Sequence, residues 1–120
     1  MNIAVIDDEK NLLLSLKLYL EIIGHNAYTF YSPREALKEI PLNKIDLILL
    51  DLQMPEMTGE QVATVLKSKE ATKDIPIIIF SAVENLEEVA VRVGAEGVLQ
   101  KPFQFNKLEE LIGLFSQAQE

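Results

Sequence analysis

Cysteine is absent from all 120 residues of this chain. That excludes a disulfide framework, a thiolate metal site and a cysteine nucleophile, and it fits a reducing compartment. Basic residues are few: 11 Lys and Arg stand against 19 Asp and Glu, giving a formal net charge of −8. Such a balance lacks the positive footprint needed to neutralise a phosphate backbone, so nucleic acid is not an expected partner. The apolar runs are far too short to span a bilayer, so no membrane association is expected. No block of like charge is long enough to form an interaction tail. The first apolar run begins at Asn2, which leaves no room for a signal peptide. The expected setting is cytoplasmic. Hydrophobic residues make up 48% of the chain, enough for a real core, and the length suits one domain over 1–120.

What is present alternates regularly. Short apolar runs are separated by segments of helical period, which predicts βα units and a parallel sheet. Strands are expected at about Asn2 to Ile6, Asn26 to Phe30, Ile45 to Leu50, Ile75 to Phe80 and Gly97 to Leu99. Helices are expected at about Lys10 to Ile23, Pro33 to Ile40, Gly59 to Lys69, Asn85 to Val93 and Gln104 to Gln117. Gly24 and Gly94 follow two of them as C-terminal stops, and Ser32-Pro33 reads as N-cap and first helical residue. The runs at 45–50 and 75–80 are nearly continuous, as in central strands covered on both faces. Five such units with right-handed crossovers give an α/β fold, a single doubly wound domain.

The polar residues at the strand ends carry the chemistry. IAVI leads into Asp7 and Asp8, IDLILL into Asp51, IPIIIF into Ser81, and GVLQ into Lys101 and Pro102. In a parallel sheet these ends share one edge, where doubly wound folds bind ligands. Adjacent aspartates alone suit a solvated turn or a helix N-cap equally well. Three carboxylates brought together repel, and a divalent cation relieves the repulsion. Mg2+ prefers oxygen ligands and keeps several waters, so one or two direct carboxylates suffice. A carboxylate can attack phosphorus to form an aspartyl phosphate, and Asp51 is the expected acceptor. Lys101 would screen the transferring group. The Ser81 hydroxyl would bind one of its oxygens, although a lone serine is also a common turn or cap residue. Small Ala82 would let main-chain N–H groups approach the anion. The Lys101-Pro102 step is a candidate cis peptide.

These residues resemble the receiver domain of bacterial two-component response regulators. The matching pieces are VIDDE at 5–9, LLDLQMPEMTG at 49–59, FSA at 80–82 and LQKPF at 99–103, in order across essentially the whole chain. DD or KPF alone is weak, whereas the four together are specific. The resemblance implies a flavodoxin-like sheet of order 2-1-3-4-5. It implies phosphotransfer to Asp51 from a histidine kinase or histidine phosphotransfer protein, dependent on Mg2+. It implies that Asp8 and Asp51 contact the metal directly, Asp7 through water, and the carbonyl of Gln53 as a further ligand. Ser81 and Lys101 then hold the phosphoryl group. Such a receiver is a signalling switch and is not expected to turn over external substrates. Many receivers carry an aromatic residue three positions before the site lysine, and here that position is Val98, which is stiff at χ1 and has no ring to swing.

A second surface is legible on the first helix. Leu12, Leu16, Tyr19, Leu20 and Ile23 share one arc, with Leu13 at its edge, and form the expected core stripe. Leu14, Leu18 and Ile22 lie on the opposite arc beside Asn11 and Ser15. An apolar stripe facing away from the core suggests a partner, and in the family this helix docks onto the histidine-bearing protein. The last helices carry Glu84, Glu87, Glu88, Lys107, Glu109 and Glu110, and only Arg92 as an arginine. A homodimer through the fourth helix, fifth strand and last helix stays open. Two other classes compete with the receiver reading. A Mg2+-dependent aspartyl phosphohydrolase usually has a second aspartate two residues after the nucleophile, where this chain has Gln53. A pseudo-receiver would lack part of the set Asp7, Asp8, Asp51, Ser81 and Lys101, which here is complete.

Overall fold

The computed structural model describes residues 1–118. Five parallel strands form one sheet in the order β2-β1-β3-β4-β5. In chain order the elements are β1 (Asn2–Ile6), α1 (Lys10–Ile22), β2 (Asn26–Phe30), α2 (Pro33–Glu39), β3 (Leu47–Asp51), α3 (Gly59–Ser68), β4 (Ile77–Ser81), α4 (Leu86–Val93), β5 (Gly97–Gln100) and α5 (Phe105–Ala118). This is the doubly wound, flavodoxin-like fold expected from the sequence. The end of the chain beyond Ala118 lies outside the described residues. No helix among those described is long and apolar enough to cross a membrane.

Strand side chains alternate between faces, and that parity sorts the core into two layers. Ile3, Val5, Leu47, Leu49, Ile78 and Phe80 pack against α1 and α5. Ala4, Ile6, Ile48, Leu50, Ile77 and Ile79 pack against α2, α3 and α4. Burial on both faces explains the continuous apolar runs of β3 and β4.

Two strand boundaries differ from the sequence expectation, and both lie further along the chain. β3 spans Leu47–Asp51 and β4 spans Ile77–Ser81. Pro76 has no N–H to give to the ladder, and pairing starts through its carbonyl, which accepts from the Ile48 N–H at 3.0 Å. Asp51 and Ser81 are the last residues of their strands. The other ends move less. α2 stops at Glu39, and a 3₁₀ turn, Ile40–Leu42, carries Pro41. Ser32 Oγ caps α2, accepting from the Glu35 N–H at 3.3 Å. Gly94 adopts the left-handed conformation after α4, with φ of 75°.

Leu13 departs from its expected place. It is buried at the centre of the α1 stripe with Leu16 and Leu20, not at its edge. Leu12 and Tyr19 are only half-buried. α1 packs against α5 as well as the sheet, so its apolar arc turns between two neighbours. Tyr19 packs against Phe105 with the rings tilted and their centres 4.7 Å apart, and its hydroxyl donates to Glu109 at 2.9 Å.

Candidate functional site

β1, β3 and β4 end side by side, and each leaves a polar residue where its apolar run stops. Asp7 follows β1 and is 1% exposed, and Asp51 ends β3 and is 4% exposed. Asp8 is exposed to solvent. One carboxylate oxygen from each of the three lies within 4.8 Å of the others. Lys101, just past β5, reaches into this cluster. Its Nζ donates to Asp7 Oδ2 at 3.1 Å and to Asp51 Oδ1 at 3.5 Å, and it sits 4.8 Å from the centre of the Phe80 ring. The Glu9 N–H donates to Asp7 Oδ1 at 2.8 Å. The Lys101-Pro102 peptide is cis.

Ser81 ends β4 with its side chain fully buried. Its Oγ accepts from the Val83 N–H at 3.4 Å, the outer limit for such a bond. Ala82 is exposed and lines a cavity of about 360 Å³ with Lys101, Phe103 and Leu12. The Gln53 main chain lies close enough to the Asp51 carboxylate to favour its ionised form. The structure thus gathers Asp7, Asp8, Asp51 and Lys101 tightly, with Ser81, Ala82 and Gln53 around them. Asn11, Leu14, Ser15, Leu18 and Ile22 lie outside the pocket, exposed on α1. A larger, open cavity of about 660 Å³ between α2, α3 and α4 contains none of the cluster, and the ion pairs Arg34–Glu56 and Arg92–Glu60 are among its lining.

Burial dominates the electrostatics. It pushes the Asp51 carboxyl up to about 6, helped by the Asp7 charge and opposed by Lys101 and the Gln53 main chain. Asp7 is also raised by burial, against the pull of the Glu9 N–H and Lys101, with the Asp8 charge adding to the rise. One ammonium does not settle three carboxylates. Hard oxygens this close are a donor set that fits a divalent cation such as Mg2+.

Three features of the site have little signal in the sequence. Lys101 lies nearer Asp7 than Asp51, which strand order alone does not tell. Gln100 bonds the β4–α4 loop, and its type gives no hint of that. Gly59 opens α3 against the acceptor strand: its N–H donates to the Leu52 carbonyl at 2.8 Å. A Cβ at Gly59 would strike the Asp51 carbonyl oxygen and lie 2.6 Å from Leu52 Cα. The sequence suggests only a helix start there, and the Thr58–Gln61 capping box bears that out.

The fold recurs among known proteins. The family model described as the response regulator receiver domain matches residues 3–113. The chain belongs to that family, the receiver domains of two-component systems. A probable transcriptional regulator, ycf27 of Cyanidium caldarium, is 34% identical over 113 residues, which is 92% of this chain and 44% of that protein. The transcriptional regulatory protein ZraR of Salmonella typhimurium is 33% identical over 114 residues, 93% of this chain and 25% of that protein. The chain thus spans less than half the length of these relatives. Among solved structures, TrrA of Thermotoga maritima in complex with Mg2+ and beryllofluoride superposes with a TM-score of 0.85 at 32% identity, covering 95% of this chain and 97% of that one. Chemotaxis protein CheY4 of Vibrio cholerae gives 0.88 at 25% identity, covering 95% and 97%.

The burial of Asp51 and the tight approach of Gly59 both bear on stability. A carboxyl whose folded pKa is raised favours the folded state fully below its unfolded value, near pH 4. That contribution is lost as pH rises through about 6. Asp51→Asn should therefore unfold at higher urea than wild type at pH 7.5 in EDTA, by roughly 2 kcal/mol, with the gap closing towards pH 4. A gap independent of pH would show that Asp51 ionisation is not the cause. Gly59→Ala should destabilise by about 1–3 kcal/mol through forced backbone movement at Asp51 and Leu52. Urea unfolding matching wild type would mean that this backbone yields freely.

Proposed function

We propose that this domain is a phosphorylation-dependent switch that accepts a phosphoryl group from a phosphohistidine onto Asp51. The supporting observation is the buried Asp51 carboxylate beside Asp7, Asp8 and an ammonium that contacts it directly. Asp8, Asp51 and the Gln53 carbonyl are the proposed metal ligands, with Asp7 acting through water. Bound Mg2+ would supply charge neutralisation for the transferring group. An Asp51 carboxylate oxygen forms the new bond to phosphorus as the bond from phosphorus to the imidazole nitrogen breaks, and the electron pair stays on the imidazole. Lys101 balances charge on the phosphoryl oxygens, and the Ser81 hydroxyl and the Ala82 main chain contact them. Catalysis of this kind is mostly positioning and electrostatics. The acceptor must be ionised to attack, and a bound divalent cation would favour that form by pulling the Asp51 carboxyl back down from the raised pKa that burial gives it.

Donor recognition falls to α1. Leu14, Leu18 and Ile22 are 58%, 53% and 81% exposed in a row on its outer face, flanked by Asn11 and Ser15. Such a stripe suits an apolar helix face of a histidine kinase or phosphotransfer protein. The relatives that cover this chain are named as transcriptional regulators, and the proposed output is regulatory rather than substrate turnover.

Intact mass spectrometry after incubation with acetyl phosphate tests the acceptor. Wild type with Mg2+ should gain one phosphoryl group, and EDTA or Asp51→Asn should abolish the gain. An adduct that survives in Asp51→Asn would assign the acceptor elsewhere. For docking, Leu18→Ser with Ile22→Ser should slow transfer from the cognate phosphohistidine donor at least about tenfold. Labelling by acetyl phosphate should stay unchanged. Equal transfer rates in a folded double variant would remove α1 from donor binding.

A further inference from the structure

Val98 and Gln100 follow the alternation of β5 onto one side of the strand, and Val98 packs with the α2–α3–α4 layer while Leu99 packs on the other. Val98 and Gln100 line a solvent-open depression of about 310 Å³ together with residues 84–88 at the start of α4. One side-chain bond crosses from β5 to that loop: Gln100 Nε2 donates to the Val83 carbonyl at 3.2 Å. Val83 is held at its other end too, where its N–H donates to Ser81 Oγ at 3.4 Å. Gln100 is also the register partner of Ser81 and the residue before Lys101. One residue of loop thus links the hydroxyl proposed to bind a phosphoryl oxygen to the amide of Gln100.

We infer that Gln100 is a positioning residue that tethers the β4–α4 loop through Val83 and sets how readily Ser81 turns to the phosphoryl group. The inference rests on the receiver reading above. Turning the Ser81 hydroxyl towards a phosphoryl oxygen gives up its weak bond to Val83. The released N–H of half-buried Val83 can reach another acceptor only if the loop shifts, and the Gln100 bond at the carbonyl end resists that shift. A contact made in one of two states biases the equilibrium towards that state. Gln100 therefore opposes the phosphoryl-bound arrangement.

Beryllofluoride, a phosphoryl mimic, provides the test, with affinity measured by calorimetry at saturating Mg2+ on wild type, Gln100→Leu and Gln100→Met. Both variants lose the donor, and both should bind beryllofluoride about two- to tenfold more tightly, the range of one net hydrogen bond. Mg2+ affinity without beryllofluoride should stay within about twofold of wild type, because no metal-site carboxylate is touched. A general structural disturbance would move both affinities, and that result would overturn the inference. So would beryllofluoride affinity unchanged or weakened in either variant. A wild type that binds no beryllofluoride would overturn the receiver reading and this inference together.

Discussion

Everything at the site depends on one constraint: a parallel sheet covered on both faces brings every strand C-terminus to the same edge. The apolar interior of β1, β3 and β4 is fully buried, and the chain leaves that interior at Asp7, Asp51 and Ser81. The burial that makes these strands stable also strips water from the first polar residue beyond them. Carboxylates in such a position could not stay close if they were carried on loops free to move apart. The two packed layers hold them there and absorb the repulsion.

The charge count shows how the arrangement is balanced. Three carboxylates face one ammonium, which leaves two negative charges when all are ionised. Lys101 divides itself between Asp7 and Asp51, and burial, helped by the Asp7 charge, still lifts Asp51 to about 6. Two units of negative charge among hard oxygens match a divalent cation in both magnitude and ligand type. A single extra lysine would neutralise only half of the deficit and would fill the space a phosphoryl group needs. Under the proposed reading, the same incomplete neutralisation lets metal and phosphoryl group enter and leave, as a reversible switch requires.

Much of this arrangement is legible in the order of the amino acids alone. Runs such as IDLILL and IPIIIF mark buried central strands, and the polar residues behind them mark one shared edge. Those inferences need only local pattern and the rule for doubly wound sheets. The order of the strands comes from the family resemblance, because periodicity cannot order them. The rest is hidden for specific reasons. The starts of β3 and β4 depend on which donor pairs with Pro76, a fact about the neighbouring strand. Leu13 looks marginal because helical-wheel reasoning assumes one neighbour, whereas α1 has both the sheet and α5. Gly59 resembles any helix-starting glycine until the Asp51 main chain is set against it.

Sheet parity also separates the two surfaces that a phosphoryl switch must use. The outer stripe of α1 belongs to the layer that α1 shares with α5. The β4–α4 loop leads into the opposite layer, where Leu86 and Val89 of α4 pack with Val98. The pocket lies between the layers and touches both. A donor seated on α1 would therefore approach Asp51 from one side, while movement at Ser81 would be felt through Val83 and Gln100 on the other. Nothing in that geometry requires the donor to leave before the loop responds. Position 98 holds a half-buried valine, so the side-chain link from β5 to the loop is the single hydrogen bond from Gln100 to the Val83 carbonyl.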